Sequence, residues 1–204
     1  MKTTFQFSKI ATLGLTLVMA CGLLTASVLD RTALDLAKEG NKYVIEQSRD
    51  KIVQIRSDKS SRSTTPTTWY VVYFESLTPV ENATSRFATG TELKFTAGNL
   101  VSVKRNVQLL GLTTEQYAEM DASQLKVDSD KALDIALREP ILENLKVMGT
   151  DMTLTQGTEG FPIWKISIWA AKKDTKIDLK VGEIWVSSVD GKVSKINVNP
   201  GRVG

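Results

Sequence analysis

The spacing of apolar residues changes several times along the chain, and each change marks a different element. Residues 10–29 (IATLGLTLVMACGLLTASVL) form an uncharged run of 20 residues. From Asp30 onward polar residues interleave with Leu34, Leu36 and Ala37 and then with Tyr43, Val44 and Gln47. That spacing permits one apolar stripe along a helix, with Asp30 as its N-cap and Gly40 weakening its middle. Lys51 to Arg56 (KIVQIR) alternates with the period of a strand, and Ser57 to Thr68, rich in Ser and Thr with Pro66, forms the loop of a hairpin. The following run, Trp69 to Glu75 (WYVVYFE), is β-branched and aromatic, a composition suited to a half-buried pleated surface. Glu92 to Phe95 and Leu100 to Val103 are further strands about Gly98 and Asn99, a turn pair with ready access to positive φ.

After a connecting segment the pattern begins again. Within residues 107–127, Thr113, Glu115 and Gln116 predict a cap for a short helix, TEQYAEM. Asp128 to Asp130 offer N-caps for a helix whose Leu133, Ala136 and Leu137 fall at i, i+3 and i+4, with Pro140 ending or kinking its last turn. Leu145 to Gln156, Phe161 to Ala171 (FPIWKISIWAA), Lys180 to Ser188 (KVGEIWVSS) and Lys192 to Val198 (KVSKINV) are the next strands, with Asp190 and Gly191 as a turn. Placing Gly98 over Gly191 aligns TELKFTAGNLVSV with GEIWVSSVDGKVSKI, and a two-residue shift brings Trp69 over Trp164, a spacing that implies duplication. The expected fold is α+β: two repeated units at 30–106 and 128–199, each a helix packed on a mostly antiparallel sheet. An N-terminal apolar leader helix precedes them at 1–29, and a short tail follows at 200–204.

Lys2 and Lys9 ahead of the apolar run give it the form of an export leader. Its length is close to a bilayer span. Three readings follow. Val18, Met19, Ala20 and Cys21 resemble a bacterial lipobox, which makes Cys21 the lipidation candidate. Alternatively the run is an uncleaved helical anchor ending before Asp30, or it is removed by cleavage near Ala26 or Ser27. All three place the body outside the cytoplasm, anchored to a membrane or free in the periplasm, and mass spectrometry of the mature N-terminus separates them.

Composition narrows the chemistry. Removing Lys2 and Lys9 from the 26 Lys and Arg leaves 24 against 23 Asp and Glu, a net charge of +1 for the body. Such interspersed, balanced charge argues against nucleic acid as a partner. With no histidine, the commonest general base near neutral pH is missing. The one cysteine, Cys21, lies in the leader, so the body holds no disulfide and no thiolate metal site, and neither metal nor cofactor is expected.

Glu92, Glu183, Asp178 and Asp190 lie on or near strands, where two carboxylates at a suitable separation would make a hydrolase. A solvated or lysine-paired role fits Glu92 and Glu183 better, and turn formation explains Asp190. Ser187, Ser188 and Ser194 lack a histidine partner, and no motif supports a pairing with Lys192 or Lys195. Gly157, Gly160 and Gly182 lack the lysine of a phosphate loop and are turn residues. Asp128, Ser129 and Asp130 resemble part of a calcium loop without its glycine and terminal glutamate, so helix capping accounts for them.

The strand PIWKISIWA followed by VGEIWVSSVDGKVSKI resembles the end of a PepSY-type domain, a helix-plus-sheet module of secreted and membrane-bound bacterial proteins. WYVVYFES and GTELKFTAGNLVSV resemble it more loosely. The resemblance spans residues 30–199 and implies a noncatalytic role, binding or restraining a peptidase of the cell envelope, with no active site to carry over.

Strand alternation sorts the aromatic residues. Trp164, Ile166 and Ile168 share one face with Ile184 and Val186, while Lys165, Ser167 and Trp169 share the other with Glu183 and Trp185. Trp69, Val71 and Tyr73 belong to the core, and Tyr70, Val72 and Phe74 to the open side. Trp169, Trp185, Lys165, Tyr70 and Phe74 are therefore the candidates for contact with a protein partner in the cell envelope. The competing expectation is that the two units, or the connecting helix, cover these rings as interdomain core. The function expected is noncatalytic binding. The alternatives are a structural or assembly lipoprotein that binds no peptidase and, more remotely, a carboxylate-dependent hydrolase.

Overall fold

The computed structural model describes residues 31–79, 86–109, 119–172 and 177–203. The leader with Cys21, the Asp30 cap and the expected helix TEQYAEM up to Ala118 lie outside them. Among the described residues, no helix is long and apolar enough to cross a membrane.

Helix α1 (Ala33–Gly40) leads to β1 (Ile52–Ser57), β2 (Thr68–Pro79), β3 (Arg86–Thr96) and β4 (Asn99–Gln108). Helix α2 (Ser129–Leu137) leads to β5 (Val147–Gln156), β6 (Pro162–Ala171), β7 (Asp178–Ser187) and β8 (Val193–Val198). All eight strands form one sheet in the order β4-β3-β2-β1-β5-β6-β7-β8. Every neighbouring pair is antiparallel.

This corrects the expected fold of two repeated helix-on-sheet units. β1 and β5 pair directly, Ile55 opposite Leu154 and Arg56 opposite Thr153, so the ladder of backbone hydrogen bonds runs through the middle of the molecule without a break. One main core spans both halves. Leu36 and Ala37 of α1, Leu133 and Ala136 of α2, and Val71, Phe95, Trp164 and Ile184 of the strands belong to one buried cluster. The rings of Trp69 and Trp164 meet edge to face inside it, 6.3 Å apart at 80°. Because the strands lie side by side in one sheet, neither half covers the other's open face.

The helices are short and polar at their ends. Asp128 caps α2 by accepting from Ser129 N at 2.6 Å, and the same carboxylate oxygen accepts from Leu34 N of α1 at 3.1 Å. Ser129 Oγ accepts from Ala33 N at 3.0 Å. One N-cap thus satisfies free amides at the start of both helices, each such bond contributing about 1 kcal/mol.

The expected long first helix ends at Gly40, where the backbone meets Tyr73 of β2. The Tyr73 hydroxyl donates to the Ala37 carbonyl. A Cβ at position 40 would lie 2.2 Å from that hydroxyl oxygen, so only glycine lets the helix end come down onto the ring. The turn between β3 and β4 also shifts by one residue from the expected Gly98-Asn99. Thr96 pairs with Asn99, and Ala97 and Gly98 take φ of 48° and 76°, the paired positive values of a tight two-residue hairpin.

Candidate functional site

The face of the sheet opposite α1 and α2 is organised in rows, because side chains of paired residues stand beside one another on the same face. One row can be followed from Lys94 to Tyr70, Arg56, Thr153, Lys165, Trp185 and Lys195, one residue from each of β3, β2, β1, β5, β6, β7 and β8. Cations stand at every second strand, and the two aromatic rings sit between them.

Each ring is held by the cations on its neighbouring strands. The guanidinium carbon of Arg56 lies 4.0 Å from the centroid of the Tyr70 ring, and the Lys94 ammonium lies 5.2 Å from it. Trp185 has the Lys165 ammonium at 4.7 Å and that of Lys195 at 4.3 Å. These are cation–π distances, at which an ammonium or guanidinium is drawn to the negative ring face. The nearby Tyr70 hydroxyl raises the pKa of Lys94.

The ring heteroatoms are bonded to carboxylates. Tyr70 donates to Asp58 at 3.2 Å, and Trp185 Nε1 to Glu183 at 3.3 Å. Trp169 also lies on this face: its Nε1 donates to Asp151 at 2.9 Å and the Lys59 ammonium sits 3.9 Å from its ring. Lys59, in turn, pairs with Asp178. Beside it a basin of about 400 Å³ is lined by Lys59, Arg62, Lys146 and Asp178.

Tyr70, Lys165, Trp169 and Trp185 are therefore brought together on one half-exposed face. Phe74 shares their face but packs against Val53, Val72, Ala88 and Leu109, a second small apolar cluster. Leu109, at the end of the described part of that connection, bonds to Ala88 and helps to close this cluster. Alternation in KIVQIR, TELKFT and KVSKINV exposes Arg56, Lys94 and Lys195, but the sequence alone assigns none of them to a binding face, and Lys195 enters it only as a possible partner of a serine. The missing signal was strand order: nothing local places Arg56 two strands from Lys165.

The candidate acids are occupied. Glu92 is buried, bonded to Arg56 at 2.6 Å and 3.6 Å from the Lys104 ammonium. Glu183 pairs with Lys180 at 2.7 Å, and that hydrogen bond holds its carboxyl below the usual range. Lys59 lowers Asp178 in the same way, and Lys192 with Ser187 brings Asp190 down to about 2. A general acid needs the opposite shift.

The remaining polar candidates have structural places. Ser187 bonds to the amides of Val189 and Asp190, Ser188 is buried and donates to the Val127 carbonyl, and Ser194 donates to the Trp185 carbonyl. Gly157 and Gly160 bound the turn between β5 and β6, and Gly182 lies within β7 opposite Val198. Asp128 and Ser129 are spent on the shared helix cap. Compared with family models, curated proteins and solved structures, the chain matches none of them.

Proposed function

We propose that this chain is a noncatalytic binding protein of the bacterial cell envelope, exported and held or released through its N-terminal leader, and that the face of its sheet opposite α1 and α2 receives a protein partner. The observation that carries the reading is the row of alternating cations and aromatic rings. Aromatic and arginine side chains are enriched where binding energy concentrates, because they offer large area with few rotors to immobilise. Two further features support it: the chain contains no histidine, and the carboxylates described on this face are engaged, Glu92 and Glu183 by Lys or Arg and Asp58 and Asp151 by Tyr70 and Trp169. The PepSY resemblance makes an envelope peptidase the first partner class to test.

The test is affinity capture from envelope preparations with the wild-type chain and a Trp169→Ala/Trp185→Ala variant, followed by mass spectrometry. Wild type should enrich a defined protein that the variant loses. Equal recovery by both would reject this face as the binding surface. Adding the chain to a captured peptidase then separates a restraining role, which lowers turnover, from an assembly role, which leaves it unchanged.

A further inference from the structure

We infer that the partner meets this face with an extended acidic polypeptide segment, and that the Tyr70 and Trp185 clusters are two subsites for it. The inference rests on the binding role proposed above and adds the chemistry of the ligand. Among the described residues, Lys94, Lys165 and Lys195 have no carboxylate within ion-pairing distance. They are positioned by aromatic rings instead. A cation held over a ring keeps its outer N–H donors free, and Arg56 with Glu92 at 2.6 Å shows how a carboxylate is taken on this surface.

Geometry selects the kind of acid. Neighbouring strands are about 4.8 Å apart, so the two cations of each cluster stand about 10 Å from one another and the two rings about 19 Å. Sheet twist of about 20–25° per strand turns the Trp185 cluster about 80–100° from the Tyr70 cluster, four strands away. A flat anionic membrane cannot lie against both. A flexible chain can follow the twist, and at about 3.3 Å per residue ten residues reach across the roughly 29 Å from Lys94 to Lys195.

Charge density separates polypeptide from phosphate polymer. Double-stranded DNA carries one charge per about 1.7 Å, whereas the row offers one cation per about 10 Å. Glu92 and Glu183 flank the row in the next register positions and repel a densely charged strand. Sparse carboxylates on a peptide fit between them.

The experiment measures binding of two dye-labelled peptides to the full chain in neutral detergent micelles at low salt: a decapeptide with glutamate at both ends and at every third position between, glycine elsewhere, which places a carboxylate about every 10 Å, and the tetrapeptide Glu-Gly-Gly-Glu. Wild type is compared with two variants, Lys94→Gln and Lys165→Gln/Lys195→Gln, each checked for folding by circular dichroism; Arg56 is kept because it is paired with Glu92. The decapeptide should bind wild type, and either variant should weaken it about tenfold or more, because linked subsites multiply. The tetrapeptide, which reaches one cluster only, should lose about twofold, the share of the removed site.

No binding of the decapeptide, or equal binding by wild type and both variants, would overturn the inference. So would displacement of more than half the decapeptide by inorganic polyphosphate, or by phosphatidylglycerol added to the micelles, at equal anionic charge. If those outcomes occur while an envelope protein is still captured through Trp169 and Trp185, the acidic segment falls and the binding face stands. If capture fails as well, both fall.

Discussion

Two rows of side chains run through the same six strands one residue apart, and they could hardly differ more. On the helix side Leu93, Val71, Ile55, Leu154, Trp164 and Val186 are each fully buried in one core. On the other side Lys94, Tyr70, Arg56, Thr153, Lys165 and Trp185 stand half-exposed. Each row holds a tryptophan. Trp164 is packed edge to face against Trp69 and donates its Nε1 to the Val127 carbonyl at 2.9 Å, whereas Trp185 is flanked by two lysines. The backbone is common to both rows, so the difference comes from side-chain parity alone: on one face rings exclude water, on the other they position charge.

Truncating one ring from each row breaks the comparison most directly. Trp164→Ala should lower the stability to denaturant by about 3–5 kcal/mol, through lost packing and the cavity left behind. Trp185→Ala should lower it by less than about 1 kcal/mol, since its ring is half-exposed and its cations can return to water. Similar losses for the two variants would remove the distinction between the faces.

The next effect lies at the junction of the helices above the buried row. Asp128→Ala frees the amides of Ser129 and Leu34 on two different helices. A loss of about 2 kcal/mol is expected, twice that of an ordinary cap, read from denaturant midpoints. A loss near zero would show that the shared cap does not hold α1 and α2 together.

The faces should also fail at opposite ends of the pH scale. Burial, with the charge of Asp50, raises the Tyr73 hydroxyl well above its ordinary value of 10.0. The unfolded chain therefore loses this proton first, and stability contributed by the neutral hydroxyl is present below about pH 10 and lost as pH rises beyond it. Tyr73→Phe should flatten that alkaline decline in a series of melts. On the open face the lowered Glu183 carboxyl works in reverse: its contribution is present above the ordinary 4.5 and is lost as pH falls below it. Glu183→Gln should slightly flatten the acid limb, the smallest of these effects, because the pair with Lys180 is partly exposed.

Much of this face was legible in the sequence because alternation is local. PIWKISIWA alone separates Trp164 from Lys165 and Trp169, and the Asp128 cap and the Pro140 stop of α2 stand in the spacing of six to twelve residues. The single sheet was not legible. It depends on Arg56 meeting Thr153, residues nearly a hundred positions apart, and neither KIVQIR nor the run from Leu145 to Gln156 carries a local mark of its partner. Treating the halves as separate units hid the fact that their open faces form one surface. The length of α1 was misjudged for a similar reason, since its stop at Gly40 is set by Tyr73 on a distant strand. Phe74 keeps its expected face but lies outside the cation–ring row, because a distant segment brings Leu109 beside it.

Ionic quenching of single-tryptophan proteins tests the two-faced sheet most directly. With the other three tryptophans changed to phenylalanine, Trp185 between its lysines should be quenched more steeply by iodide than by caesium, and the gap should close as salt is added. Trp164 should be shielded from both ions. Equal protection of Trp185 and Trp164, or stronger quenching of Trp185 by the cation, would contradict a cationic, solvent-facing aromatic row.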